Sequence, residues 1–91
     1  MIKTEICRKL ISFDCDYNVT LVYCLVTDDI KGEREAFQYG VSIEIPEKNE
    51  EEIIRNITPR KEKAMWLLDL LASNFVTPVT LKDVVYDCLC M

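Results

Sequence analysis

Histidine is absent from this 91-residue chain. That gap removes the commonest general acid–base side chain and every triad built on imidazole. Glycine is nearly absent too. Gly32 and Gly40 are the only two, so there is neither a phosphate-cradling loop nor a dinucleotide fingerprint, both of which need several glycines at fixed spacing. The serines, Ser12, Ser42 and Ser73, stand outside any Gly-x-Ser-x-Gly setting. No apolar run approaches the roughly 20 residues of a membrane span. The opening Met1-Ile2-Lys3-Thr4-Glu5-Ile6 is charged too often for a signal-peptide core, so a cytoplasmic protein is expected. Clustered positive charge is also missing. The net charge is −5, and the densest basic stretch, Arg60, Lys61 and Lys63, is interrupted by Glu62. Neutralising phosphates takes several grouped cations, so neither nucleic acid nor an anionic membrane surface is an expected partner.

What is present is the composition of a globular chain, 49% hydrophobic and 30% charged. The length fits one domain over residues 1–91. Five cysteines, Cys7, Cys15, Cys24, Cys88 and Cys90, are many for this length, but their number is odd and their spacing irregular. A disulfide framework is therefore not expected. Structural zinc sites use Cys pairs two to four residues apart, whereas Cys88 and Cys90 are separated by one. Free thiols standing in for small apolar residues are expected, with no metal and no cofactor.

Hydrophobic patterning marks the elements. Residues 2–13 and 18–27 read as strands joined by a turn over Asp14–Asn18. The second is apolar on both faces, as in a central strand. A polar loop over 28–34, turning at Gly32, leads to a third strand at 35–45. There Phe37, Tyr39, Val41, Ile43 and Ile45 alternate with Ala36, Gln38, Gly40, Ser42 and Glu44, predicting one buried and one exposed face. Pro46 ends it. The stretch 51–57 fits strand or helix; a short strand at 53–57 is favoured because a helix start follows, with Thr58 as N-cap and Pro59 in the first helical position. That helix runs to about 73 and carries Ala64, Leu67, Leu68, Leu71 and Ala72 on one stripe. Thr80 and Asp83 resemble a capping box for a second helix, 81–89, which would bury Leu81, Val84, Val85, Cys88 and Leu89. The expected architecture is α+β: an antiparallel three- to four-stranded meander followed by two C-terminal helices packed on one face.

The carboxylate pairs Asp14/Asp16, Asp28/Asp29 and Asp83/Asp87 are read as turn, solvated loop and helix surface rather than as catalytic or metal-binding sets. No catalytic residue is assigned. Trp66, beside the apolar stripe of the first helix, either seals that helix on the sheet or faces a partner, Trp being enriched at interface hot spots. Tyr86 is amphipathic and suits an interface as well.

The segment Thr77-Pro78-Val79-Thr80-Leu81-Lys82-Asp83-Val84-Val85-Tyr86-Asp87, with Ile57-Thr58 and Tyr39-Gly40-Val41, resembles a family of short clostridial proteins known only as a domain of unknown function. The resemblance implies a Gram-positive anaerobe as source and no activity. The functional expectation is then a small non-enzymatic interaction or regulatory protein, acting through a homodimer or a protein partner, with no small molecule identifiable. A homodimer is expected because Val22, Leu25 and Val26 cannot all be covered by helices lying on one face. Trp66, Asp83, Tyr86 and Asp87 are the candidate partner-binding residues. Small-ligand binding, and catalysis by carboxylate or thiol, are the alternatives.

Overall fold

The computed structural model describes residues 1–14, 17–29 and 37–89. Its strands are β1 (Ile2–Asp14), β2 (Tyr17–Asp29), β3 (Phe37–Ile45) and β4 (Glu50–Thr58), followed by the helices α1 (Lys61–Ser73) and α2 (Leu81–Leu89). All neighbours are antiparallel, in the order β1-β2-β3-β4. The α+β meander with two C-terminal helices is therefore the fold. The expected turning point Gly32 lies outside the described residues, as do Cys15, Asp16, Ala36 and Cys90.

One face of the sheet carries the main core. Val19, Leu21, Tyr23 and Leu25 of β2 and Val41, Ile43 and Ile45 of β3 are buried there beneath Ala64, Leu67, Leu68, Leu71 and Ala72 of α1 and Leu81 and Val85 of α2. The α1 stripe is the one read from helical spacing. In α2, Val84 and Cys88 are only half-buried, because a nine-residue helix lying at the rim of a small core brings a narrow face inside. Tyr23 anchors the two layers: its hydroxyl donates to the Val76 carbonyl oxygen at 2.9 Å, in the buried link between the helices. Burial pushes its phenol up to about 12.

Several boundaries differ from the sequence expectation, each for a local reason. β4 runs over nine residues, because the acidic run Glu50–Glu52 lies within an edge strand where its side chains find cations on other elements. Glu51 pairs with Lys3, and Glu52 lies 3.5 Å from Lys82. Thr58 is not the helix cap. It remains in the ladder opposite Tyr39, and its hydroxyl accepts the Arg60 N–H at 3.1 Å, so the chain leaves the sheet through Pro59 and Arg60 before α1 begins. Nor is Thr80 a capping-box residue. Pro78–Thr80 already forms a 3-10 turn, and the Thr80 hydroxyl turns back to the Thr77 carbonyl.

β3 and β4 share a pronounced bulge. Val41 faces Ile54 and Tyr39 faces Thr58, so residues 55–57 of β4 stand opposite Gly40 alone. Asn56 takes a left-handed conformation there (φ 56°), which Asn tolerates better than most residues. A Cβ on Gly40 would overlap the Ile54 carbonyl oxygen and approach the Arg55 Cα to 2.9 Å. This close approach of two backbones is what requires glycine.

The second face departs most from expectation. Gly40 and Ser42 of β3 are buried rather than exposed, and Val22, Cys24 and Val26 of β2 are buried with them in the single chain. Side chains from the flanking strands cover them. Lys3 of β1 pairs with Glu51 of β4 and lies 3.9 Å from Glu44 of β3, so the two outermost strands reach each other across this face. Arg55 extends from β4 past Gly40 to a two-pronged pair with Asp28 of β2, at 2.5 and 3.0 Å. The sheet is curled, and charged stems close over its apolar centre. The need for a partner to cover this face, on which a homodimer was expected, is thus removed.

Candidate functional site: the β1 edge and its groove

Of the four candidate partner-binding residues, Trp66 lies on α1 and Asp83, Tyr86 and Asp87 lie on α2. Asp83 and Asp87 lie one turn apart on the exposed side of α2, and Tyr86 is 57% exposed beside them. Trp66 is 56% exposed on α1 and opens onto a small crevice with Ile57, Thr58, Lys63, Leu67 and Cys88. It faces outward rather than sealing the helix. No hydrogen bond or ion pair among the described residues joins these four side chains.

A larger depression lies on the other flank of α1. The helices cover β2, β3 and β4 better than β1, which is an edge. Between β1 and α1 runs an open groove of about 320 Å³ floored by Thr4, Leu25, Thr27 and Tyr39 and walled by Ile6, Phe37, Lys61 and Met65. It continues, past the shared Ile6 and Met65, into a second hollow of about 150 Å³ reaching Cys7, Lys9, Asp69 and Ser73. Lys9 lies over the Phe75 ring at 5.8 Å, a cation–π contact at the far end of α1. Exposed large hydrophobics gather along this edge: Ile2 is 66% exposed, Leu10 68%, and Ile6 lies in the groove.

The position of these side chains follows from a bulge in β1. Glu5 pairs with Cys24 and Cys7 with Tyr23, so Ile6 is an extra residue between two regular ladders. Thr4, Ile6, Cys7 and Lys9 all line the helix-side groove, whereas Lys3, Glu5, Arg8 and Leu10 belong to the other face. Sequence reasoning passed over this edge because the run 2–13 has no clean alternation. The interrupted alternation, with Ile6-Cys7 as its break, was the available signal.

Cys24 is buried, and burial pushes its thiol up, away from nucleophilic character. Ser42, directly opposite on β3, has a buried hydroxyl with no hydrogen bond of ordinary geometry. Asp28, expected in a solvated loop, sits within β2 and is buried; the Arg55 guanidinium beside it holds its carboxyl below the usual range. Glu47 accepts the Thr20 backbone N–H at 3.0 Å and its hydroxyl at 2.8 Å, which lowers its carboxyl likewise. It occupies the place where the β3 ladder has ended. These groups are engaged in holding the fold. Among the described residues no three His, Cys, Asp or Glu side chains converge on a common point, and no helix is long and apolar enough to cross a membrane.

The arrangement defines a small α+β domain with a curled antiparallel sheet, helices on one face and a long open edge strand. The chain belongs to a family of unknown function, DUF6514, whose model matches residues 2–91. Comparison with curated proteins and with solved structures gave no match.

Proposed function

We propose that this chain is a non-enzymatic protein-binding module whose working surface is the β1 edge and the groove beside it. The observation that carries the reading is the concentration of exposed Ile2, Ile6 and Leu10 on an edge strand whose helix-side flank is an open groove. An extended segment added to such an edge gains main-chain hydrogen bonds, and its alternate side chains enter the groove. The free thiols Cys7, Cys24 and Cys88 suit a reducing compartment, which supports a cytoplasmic location. The likeness of the Thr77–Asp87 segment to short clostridial chains supports an anaerobic Gram-positive source.

Affinity capture from cells of the native host tests the surface by comparing variants. Leu10→Glu, at an exposed position, is expected to lose the stoichiometric partner that the wild-type chain retains. Trp66→Ala and Asp87→Asn are expected to keep it. Loss in Trp66→Ala or Asp87→Asn with retention in Leu10→Glu would move the surface to the helices and overturn this reading.

A further inference from the structure

The two free edges of the sheet are unlike. On β4, Glu50, Glu51 and Glu52 stand in a row, and the bulge at 55–57 with its left-handed Asn56 interrupts the strand beyond them. Two such edges laid antiparallel would set glutamate against glutamate, an arrangement that discourages pairing. β1 is thirteen residues long and carries the exposed Ile2, Ile6 and Leu10.

The bulge in β1 fixes how this strand could pair with itself. In a regular strand, odd and even positions point to opposite faces. A twofold axis through a sheet preserves faces, so it could then pair only odd with odd or even with even. The extra residue Ile6 reverses that rule across the bulge. Lys3 and Glu5 before it share the outer face with Arg8 and Leu10 after it, and Ile6 and Cys7 both turn toward the helices. Odd must therefore meet even. The register centred between Ile6 and Cys7 satisfies this at each position. It sets Glu5 opposite the partner's Arg8, twice by symmetry, Ile2 opposite the partner's Ile11 and Ile6 opposite the partner's Cys7. Slipping the register by two residues toward the N-terminus sets Lys3 against the partner's Arg8, like charge on like. Faces and the Glu5–Arg8 charges thus agree in this register, which also sets the aliphatic stem of Lys3 opposite the partner's Leu10.

We infer that the chain self-associates as a twofold dimer through antiparallel β1–β1 pairing, with Glu5 facing the partner's Arg8. This rests on the reading of the β1 edge as a protein-binding surface and names a second copy as the segment it accepts. In each chain Glu5 and Arg8 are already 2.9 Å apart, so the dimer gathers four alternating charges on its outer face. The partner's strand would lie along the open side of the β1–α1 groove.

Charge reversal tests it, read by sedimentation velocity from low to high micromolar concentration, with circular dichroism to confirm folding at these exposed positions. Wild type should show a concentration-dependent dimer. E5R alone and R8E alone each set like charges opposite one another twice and should weaken the dimer by roughly tenfold or more. The double variant E5R/R8E should regain it, and an equimolar mixture of the two single variants should form the heterodimer. A wild-type chain monomeric at high micromolar concentration overturns the inference, as does a dimer indifferent to both single reversals. If a monomeric wild type still loses its cellular partner on Leu10→Glu, self-pairing falls while the binding surface stands.

Discussion

Tyr23→Phe removes one oxygen atom from the centre of the molecule, and its cost can be worked out. The ring is fully buried, and its hydroxyl is the donor to Val76 O at 2.9 Å. Phenylalanine fills the same space, so no sizeable cavity opens. What is lost is a buried hydrogen bond, leaving a carbonyl without this donor, a change that costs about 1–3 kcal/mol. For a domain of this size each kcal/mol shifts the melting midpoint by roughly 4–8 °C, so a drop of about 4–24 °C at pH 7 is expected by differential scanning calorimetry. The same hydroxyl supplies an independent check in alkali. Its folded-state pKa of about 12 lies above its ordinary value of 10. The stability linked to it is therefore fully present below pH 10 and is lost as pH rises toward 12. The gap between wild type and Tyr23→Phe should be constant from pH 6 to 9 and shrink between 10 and 12. Lysine and cysteine ionisation cancels, because both proteins share those groups. An unchanged melting midpoint at pH 7, or a gap that does not shrink in alkali, would refute the assignment of Tyr23 as the tie between sheet and helix link.

Other substitutions separate fold from surface. Gly40→Ala should destabilise by about 2–3 kcal/mol in urea unfolding, since the Ile54 carbonyl that meets the new Cβ is backbone and yields little. Ser42→Ala should be neutral or stabilising by about 1 kcal/mol, because a buried hydroxyl lacking a well-formed hydrogen bond is exchanged for apolar surface; a loss above that size would show that the hydroxyl is satisfied. The depressed carboxyls of Asp28 and Glu47 give stability above the ordinary carboxylate range that is lost as pH falls through their folded values. Asp28→Asn should therefore flatten the acid limb of the stability–pH curve. Trp66→Ala should change the unfolding free energy by less than about 1 kcal/mol, since the ring is mostly in solvent.

The parts of the fold legible in the sequence are those where one periodicity dominates. The α1 stripe and the Val41-Ile43-Ile45 alternation each answer to a single buried face, and both are found where the spacing puts them. The second face of the sheet was hidden because it is covered by residues that read as exposed when taken singly. Lys3, Glu44, Glu51 and Arg55 cover it only once the sheet curls and brings distant strands together. Gly40 was seen as one position in an alternation, although the bulge opposite it lies in a different strand. The β1 edge escaped notice for a related reason: a bulge breaks the period-two signal on which strand reading depends. Trp66 was singled out by residue type and Asp87 by its place in the Thr77–Asp87 segment, and neither criterion shows which strands the helices leave uncovered.

The crossed ion pairs over the outer face also make a gate. Cys24 lies on that same face, buried and with its thiol pushed up by burial, so its labelling by a soluble alkylating reagent should quicken when Lys3 and its acidic partners part. Such partly exposed pairs loosen as salt rises. The rate at which Cys24 is labelled, followed against ionic strength, therefore times the uncurling of the sheet, with the cysteine as a reporter already built into the chain.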